Sequence, residues 1–153
     1  MTTSSSAPIA SQTASRRDFR SLVFHLLYAM DSYDYTMPIE QIVQTYANEF
    51  ELDIPLDGEI VKMVSSIVQE RYDLDQKIKP LLDNWSIERL GMCTLLILRL
   101  AIWELIHTDT PSIIVINEGI ELAKGFSERD AYKFVNGILD QAAKKFRNDK
   151  PVA

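Results

Sequence analysis

The 153-residue sequence predicts an all-α fold, and three observations carry that prediction. Apolar residues recur at helical spacing in almost every stretch between turn signals. Five Gly and six Pro are too few for the many tight turns of an all-β chain. The one β-branched run, Ile113 to Ile116, has no second strand to pair with. With 46% hydrophobic and 25% charged residues, a chain of this length suits one domain with its own core. That domain is expected over 16–147, between tails at 1–15 and 148–153. The first tail is uncharged and Ser/Thr-rich, without the charged and apolar regions of a secretory signal.

The first helix opens on Ser15, with Asp18 completing a capping box near the positive end of the helix dipole. Its apolar stripe is Phe19, Leu22, Val23, Leu26, Leu27 and Met30, ending around Asp31. At 100° per residue, Arg17, Ser21, Phe24 and Tyr28 fall on the opposite face with Arg20 beside them. Pro38 suits the first position of a second helix, with Ile39, Ile42, Val43, Tyr46, Ala47 and Phe50 on one face. Glu51 to Pro55 reads as a linker. Asp57 caps a third helix with stripe Ile60, Val64, Ile67, Val68 and Arg71, and Leu74, Ile78, Leu81 and Leu82 continue or restart the spacing. Pro80 predicts a kink or break, and residues 57–83 read equally as one helix or two.

Ser86 is the expected cap of a helix from Ile87 to about His107 that is apolar nearly all round, the mark of a central helix covered on most sides. Arg99 and Glu104, five apart within it, each need a tertiary partner or a route to water. Pro111-Ser112 opens the next helix, with Ile113, Ile116, Ile120 and Ala123 on one face and Gly125 closing it. A second capping box, Ser127 to Asp130, opens a last helix that turns Phe134, Val135, Ile138, Leu139, Ala142 and Phe146 inward. Asn136-Gly137 interrupts neither flank of that period and reads as close helix packing at a small residue. The total is six or seven helices, taken as about seven.

The net charge of −6 argues against a protein that coats nucleic acid by bulk charge. Its distribution qualifies the argument. Residues 31–60 hold eight acidic and no basic side chains, whereas 1–30 hold three basic and one acidic, and 121–153 seven basic and five acidic.

No catalytic constellation is expected. His25 and His107 stand alone, and Cys93 sits in the most apolar helix, where a buried thiol is the ordinary reading. Asp53 and Asp57 read as solvated carboxylates, no Gly-rich loop cradles a phosphate, and neither a cofactor nor a metal is called for. The stretch Leu90 to Ile106, broken by Arg99 and Glu104, is too short to span a bilayer, and a cytoplasmic protein with no membrane partner is expected. Two stretches remain as binding surfaces. One is Arg16, Arg17 and Arg20 with Phe24 and Tyr28, where guanidinium groups suit phosphates and exposed rings suit unpaired bases. The other runs from Lys124 to Phe134, with Arg129 and Lys133 near a helix start. The ordinary alternatives are solvated charges with tucked rings in the first, and in the second a core Phe134 with Phe126 stapled near Ala131.

The C-terminal half resembles the NusB family of transcription antitermination factors. Trp85, the Ile97-Leu98-Arg99-Leu100-Ala101 run with Glu104, and Pro111 carry the likeness. So do Ile116-Asn117-Glu118-Gly119-Ile120-Glu121-Leu122-Ala123-Lys124 and Phe134-Val135-Asn136-Gly137-Ile138-Leu139-Asp140. Arg17, Arg20, Leu27 and Tyr28 fit the family's arginine-rich first helix. Residues 31–80 match only in helical pattern.

The resemblance implies an all-α fold of two small helical bundles. It also implies non-catalytic binding of boxA-type single-stranded RNA together with ribosomal protein NusE, within an antitermination complex on RNA polymerase that reads through ribosomal RNA operons. By position, Arg16, Arg17, Arg20, Tyr28, Lys124, Phe126, Asp130 and Phe134 fall among the RNA contacts, on one surface. Glu88 and Thr94 fall at the partner interface. The chain departs from the family at Asp18 (often basic), Phe19 (usually Ala), Ser21 (usually Glu) and Thr94 (usually acidic). The alternative is a NusB-like protein-interaction module, or a homodimer that hides the arginine face, with weak or lost RNA binding.

Overall fold

The computed structural model describes residues 16–147, so Ser15 as a cap and both expected tails lie outside the described residues. The described residues hold seven α-helices and two short 3-10 turns, with no strand. The chain divides into two compact units between Gln69 and Glu70, which answer to the two small bundles that the resemblance implies.

The first unit holds α1 (Arg16–Ser32), α2 (Ile39–Glu49) and α3 (Glu59–Gln69), with α1 packed on both others. Helix α1 ends where Asp34 and Tyr35 take left-handed backbone conformations and the Tyr35 amide donates to the Met30 carbonyl. Glu51, also left-handed, closes α2 while the Leu52 amide donates to Ala47. Ile42 and Val43 of α2, with Ile60, Val61, Met63, Val64 and Ile67 of α3, are buried, and so is Ile54 of the expected linker. Gly58 rather than Asp57 precedes the first turn of α3, and Phe50 is exposed.

The buried arc of α1 is wider than its apolar stripe. Phe24, placed by the sequence on an open aromatic face, is only 2% exposed. Arg20, placed beside it, is 3% exposed and directs Nη1 to the Arg16 carbonyl at 3.4 Å. The predicted face therefore reduces to Arg16, Arg17 and Tyr28 at the surface.

The second unit holds α4 (Arg71–Ile78), a 3-10 turn over Lys79–Leu81, a second over Ile87–Arg89, α5 (Met92–His107), α6 (Ser112–Phe126) and α7 (Ala131–Arg147). Residues 57–83 are thus two helices that part at Glu70, and Pro80 lies in the 3-10 turn after the second. Helix α5 is the central member, packed against α4, α6 and α7. It begins at Met92 instead of Ile87, because Leu90 and Gly91 are extended. A Cβ on Gly91 would stand 2.5 Å from Glu128 Oε1. Arg99 finds its tertiary partner in Asp75 of α4, with Nε and Nη2 each donating to a separate carboxylate oxygen at 2.8 Å. His107 Nε2 lies 2.8 Å from Glu70 Oε1.

Helix α6 forms despite its β-branched start, but on a different face from the expected one. Val115, Gly119, Leu122 and Ala123 are buried, while Ile113 is 61% exposed. Gly119 sets that rotation: a Cβ there would meet Leu139 Cδ1 of α7 at 2.7 Å and Ala101 Cβ of α5 at 3.9 Å. Gly125 continues the helix instead of ending it. Ser127 follows α6 as its cap and does not open α7. In α7, Val135, Ile138, Leu139, Ala142 and Ala143 are buried, whereas Gly137 is exposed with nothing within 4 Å of a Cβ. The close glycine contact is therefore at Gly119, not Gly137. No described helix is long and apolar enough to cross a membrane.

The two glycines should respond oppositely to alanine. Gly137→Ala is expected to raise unfolding stability by about 0.5–1 kcal/mol, the ordinary gain at an open helix position. Gly119→Ala is expected to lower it by about 1 kcal/mol, because overpacking against the buried Leu139 exceeds the same helical gain. Urea denaturation of both variants measures the difference.

Candidate nucleic-acid interface

The α6–α7 junction and the segment before α5 build an open aromatic site in the second unit. Trp85, between the two 3-10 turns, is 55% exposed despite its size. Its ring meets that of Phe134, in the first turn of α7, with centroids 6.5 Å apart and planes at 66°. Such an edge-to-face pair holds both rings in place without covering their outer faces. Phe134 is half-buried, between the core and the open positions considered for it, and Phe126 at the end of α6 is exposed.

A hollow of about 210 Å³ lies against the pair, walled by Arg89, Gly91, Thr94, Arg129 and Asp130. Its shape depends on the turn from α6 to α7. Thr94 Oγ1 donates to Ser127 Oγ at 3.1 Å, which uses the hydroxyl that the sequence assigned to a capping box. Asp130 takes a left-handed backbone conformation (φ 68°), which Asp tolerates better than most residues. The Ala131 amide then donates to Glu128, and α7 begins. Thr94 is 3% exposed, so of the two expected partner contacts only Glu88, in the second 3-10 turn, stands at the surface.

Arg89 and Arg129 line the hollow as cations. Lys124 and Lys133 each pair loosely with an acid three residues away, Glu121 at 3.8 Å and Asp130 at 3.9 Å, with all four of these side chains exposed. Both lysines also lie near the Tyr132 ring, at 5.0 and 5.9 Å from its centroid. Exposed pairs of this kind are worth little and exchange readily for a phosphate. Sequence reasoning weighed Phe126 and Phe134 singly and missed Trp85 and Arg89, which line the hollow with Phe134, as site members.

In the first unit, Arg16 and Arg17 are exposed on the first turn of α1, with Tyr28 exposed three turns on. The Arg16 guanidinium lies 4.0 Å from the Phe19 ring centroid and 3.2 Å from Glu59. The two stretches that the sequence singled out thus belong one to each unit, and in the first Arg20 and Phe24 are not at the surface.

Among the described residues, no group of three or more His, Cys, Asp or Glu could share a metal ion. His25 Nδ1 lies 2.7 Å from the Ser21 carbonyl, which can only accept, so that nitrogen carries the proton. The Cys93 thiol is pushed up by burial and then by the Glu128 carboxylate, so less of it is thiolate at any given pH. Cys93 is therefore expected to react with a disulfide reagent at pH 8 more slowly in the folded chain than in urea, and Glu128→Gln should recover part of that rate; equal rates in the folded and unfolded chain contradict this.

The sequence profile of the NusB family matches residues 17–144. The transcription antitermination protein NusB of Staphylococcus epidermidis is 38% identical over 125 residues, which is 82% of this chain and 95% of that protein. Its counterpart in Macrococcus caseolyticus is 32% identical over 130 residues, 85% of this chain and 97% of that protein. Among solved structures, NusB of T. maritima superposes with a TM-score of 0.76 at 32% identity, over 88% of this chain and 94% of that one. A chain in the crystal structure of a plectonemic RNA supercoil superposes with a TM-score of 0.75 at 28% identity, over 88% of this chain and 98% of that one. On sequence and fold together, this chain belongs to the NusB family.

Proposed function

We propose that this chain is a transcription antitermination factor. It binds boxA-type single-stranded RNA, without catalysis and in company with ribosomal protein NusE, as part of an antitermination complex that carries RNA polymerase through ribosomal RNA operons in the cytoplasm. The relatives bear the name transcription antitermination protein, and a neighbour in fold comes from a structure containing RNA. The observation that carries the reading is the exposed Trp85 ring against the half-buried Phe134, beside Arg89, Arg129 and Lys133. Open rings bind unpaired bases by stacking, and the adjacent cations bind the phosphates between them.

The residues divide by role. Arg16 and Arg17 on α1, with Lys124 near the end of α6, contact phosphates, and Tyr28, Phe126 and Phe134 contact bases. Asp130 accepts hydrogen bonds from base amino groups. Arg20 acts from inside, holding α1 under the exposed pair. Glu88 lies at the NusE interface; Thr94, buried, positions the α6–α7 turn through Ser127.

Three to five phosphate contacts give affinity that falls with salt at a log–log slope of about −2 to −3.5, since each contact to a single strand contributes roughly −0.7. Titration of labelled boxA-type RNA at several salt concentrations, with and without NusE, measures the slope. Arg16→Ala with Arg17→Ala should make it shallower by about 1.4, two contacts' worth. Arg20→Ala should instead lower the thermal midpoint and leave the slope of the folded fraction unchanged. An unchanged slope in the double variant removes the α1 face from the interface. Absence of binding with and without NusE, together with a dimer on gel filtration, supports the homodimeric protein-interaction module instead.

A further inference from the structure

A second hollow, of about 400 Å³, shares the Trp85 and Phe134 rings with the first. The smaller one is below the roughly 300–1,000 Å³ of ordinary ligand sites, and this one is within it. Three kinds of group in its lining suit a nucleotide. Trp85 and Phe134 supply aromatic surface, Asn84 and Gln141 supply side-chain amides, and Lys133 supplies a cation. Gly137 lies in the wall on α7, where a Cβ would meet no atom of the protein within 4 Å. A glycine in the middle of an exposed helix face costs stability relative to alanine, and no packing in this unit requires it. What its missing side chain leaves open is the hollow.

We infer that this hollow is a subsite for one unpaired nucleotide of the bound RNA. The base packs on the aromatic pair, the amides of Asn84 and Gln141 read its edge, and Lys133 holds a flanking phosphate. An amide carries both donors and acceptors and matches the mixed edge of a base, whereas a rim of lysines alone would read only backbone. The Asp83 carboxylate, also in the lining, only accepts hydrogen bonds and so favours an amino-bearing base over uracil. The hollow is continuous with the aromatic pair that carries the functional reading, which is why a nucleotide is its occupant. The inference rests on RNA binding by this chain.

The test is fluorescence anisotropy of boxA-type RNA with the full chain and NusE, using RNAs made abasic at one position at a time. For the wild-type chain, one abasic position should weaken binding about tenfold, the share of a single stacked base. Gly137→Leu, which fills the hollow from an open helix face, should weaken binding of the intact RNA by a similar factor. The same abasic position should then cost less than twofold more. Asn84→Ala with Gln141→Ala changes only the lining and should reduce affinity several-fold with an unaltered circular dichroism spectrum, whether or not Gly137→Leu folds. Affinity within twofold of wild type in both variants overturns the subsite and leaves RNA binding standing, as does an abasic penalty that persists in full in Gly137→Leu. Failure of the wild-type chain to bind the RNA overturns both.

Discussion

The guanidinium of Arg147 fixes the end of the second unit opposite the aromatic site. A helix leaves its last carbonyls without partners, and α5 runs into the extended Thr108 with no glycine to close it. Arg147, in the last turn of α7, reaches this end: it donates to the carbonyls of Leu105 and Glu104 in α5 at 2.8 and 3.1 Å, to that of Thr108 just beyond the helix at 2.8 Å, and to that of Thr110. It also reaches Ser112 Oγ at 3.2 Å, at the start of α6. A planar fork with five donors is the side chain suited to this, and a cation at a helix C-terminus is favoured by the dipole. One residue therefore ties three helices and sets the register of α7 along α5.

That register decides what stands at the other end. Helix α7 is about 25 Å long at 17 residues. Midway, Gly119 lets α6 approach Leu139 of α7 and Ala101 of α5, so the three helices meet without a gap. At the far end the same alignment brings Phe134 to Trp85 and Glu128 to Gly91. The bidentate Arg99–Asp75 pair holds α4 to the same central helix. The site stands at the end of the same stack of helices that Arg147 closes at the opposite pole.

Much of this was legible in the residues. An all-helical chain of six or seven helices and the central burial of α5 followed from spacing and from an apolar run too thorough for a surface helix, while the break at Glu70 that makes the seventh did not. The faces were less legible. In α6 the isoleucines outweigh Val115 and Gly119 in apolar area, yet contact is made where the backbone approaches closest, which needs a small residue and not a large one. The same confusion of small with close misplaced the contact at Gly137. On α1, Arg20 and Phe24 were misplaced on the open face because an arginine and a phenylalanine beside a stripe read alike whether they are covered or open. Trp85 and Phe134 are far apart in sequence, and nothing local announces that they pair. Arg147 resembles any basic residue in a last turn. Phe126, Asp130 and Phe134 were singled out through their motif, Arg17 and Tyr28 through helical arithmetic that the resemblance reinforced, and Arg16 through the basic start of the helix.

The charge balance fits this division. An acidic segment at 31–60 and basic residues toward both ends suit selective binding by a few placed cations over coating by bulk charge. The sequence has two tryptophans, and they make a natural pair of reporters: Trp85 at the aromatic site, and Trp103 in α5 with its ring 5.0 Å from that of His107. The most direct test of the account is an indole N–H NMR titration with boxA-type RNA in the presence of NusE. The account predicts that the Trp85 resonance shifts with added RNA while that of Trp103 stays in place. A shift confined to Trp103, or RNA binding that moves neither resonance, contradicts it.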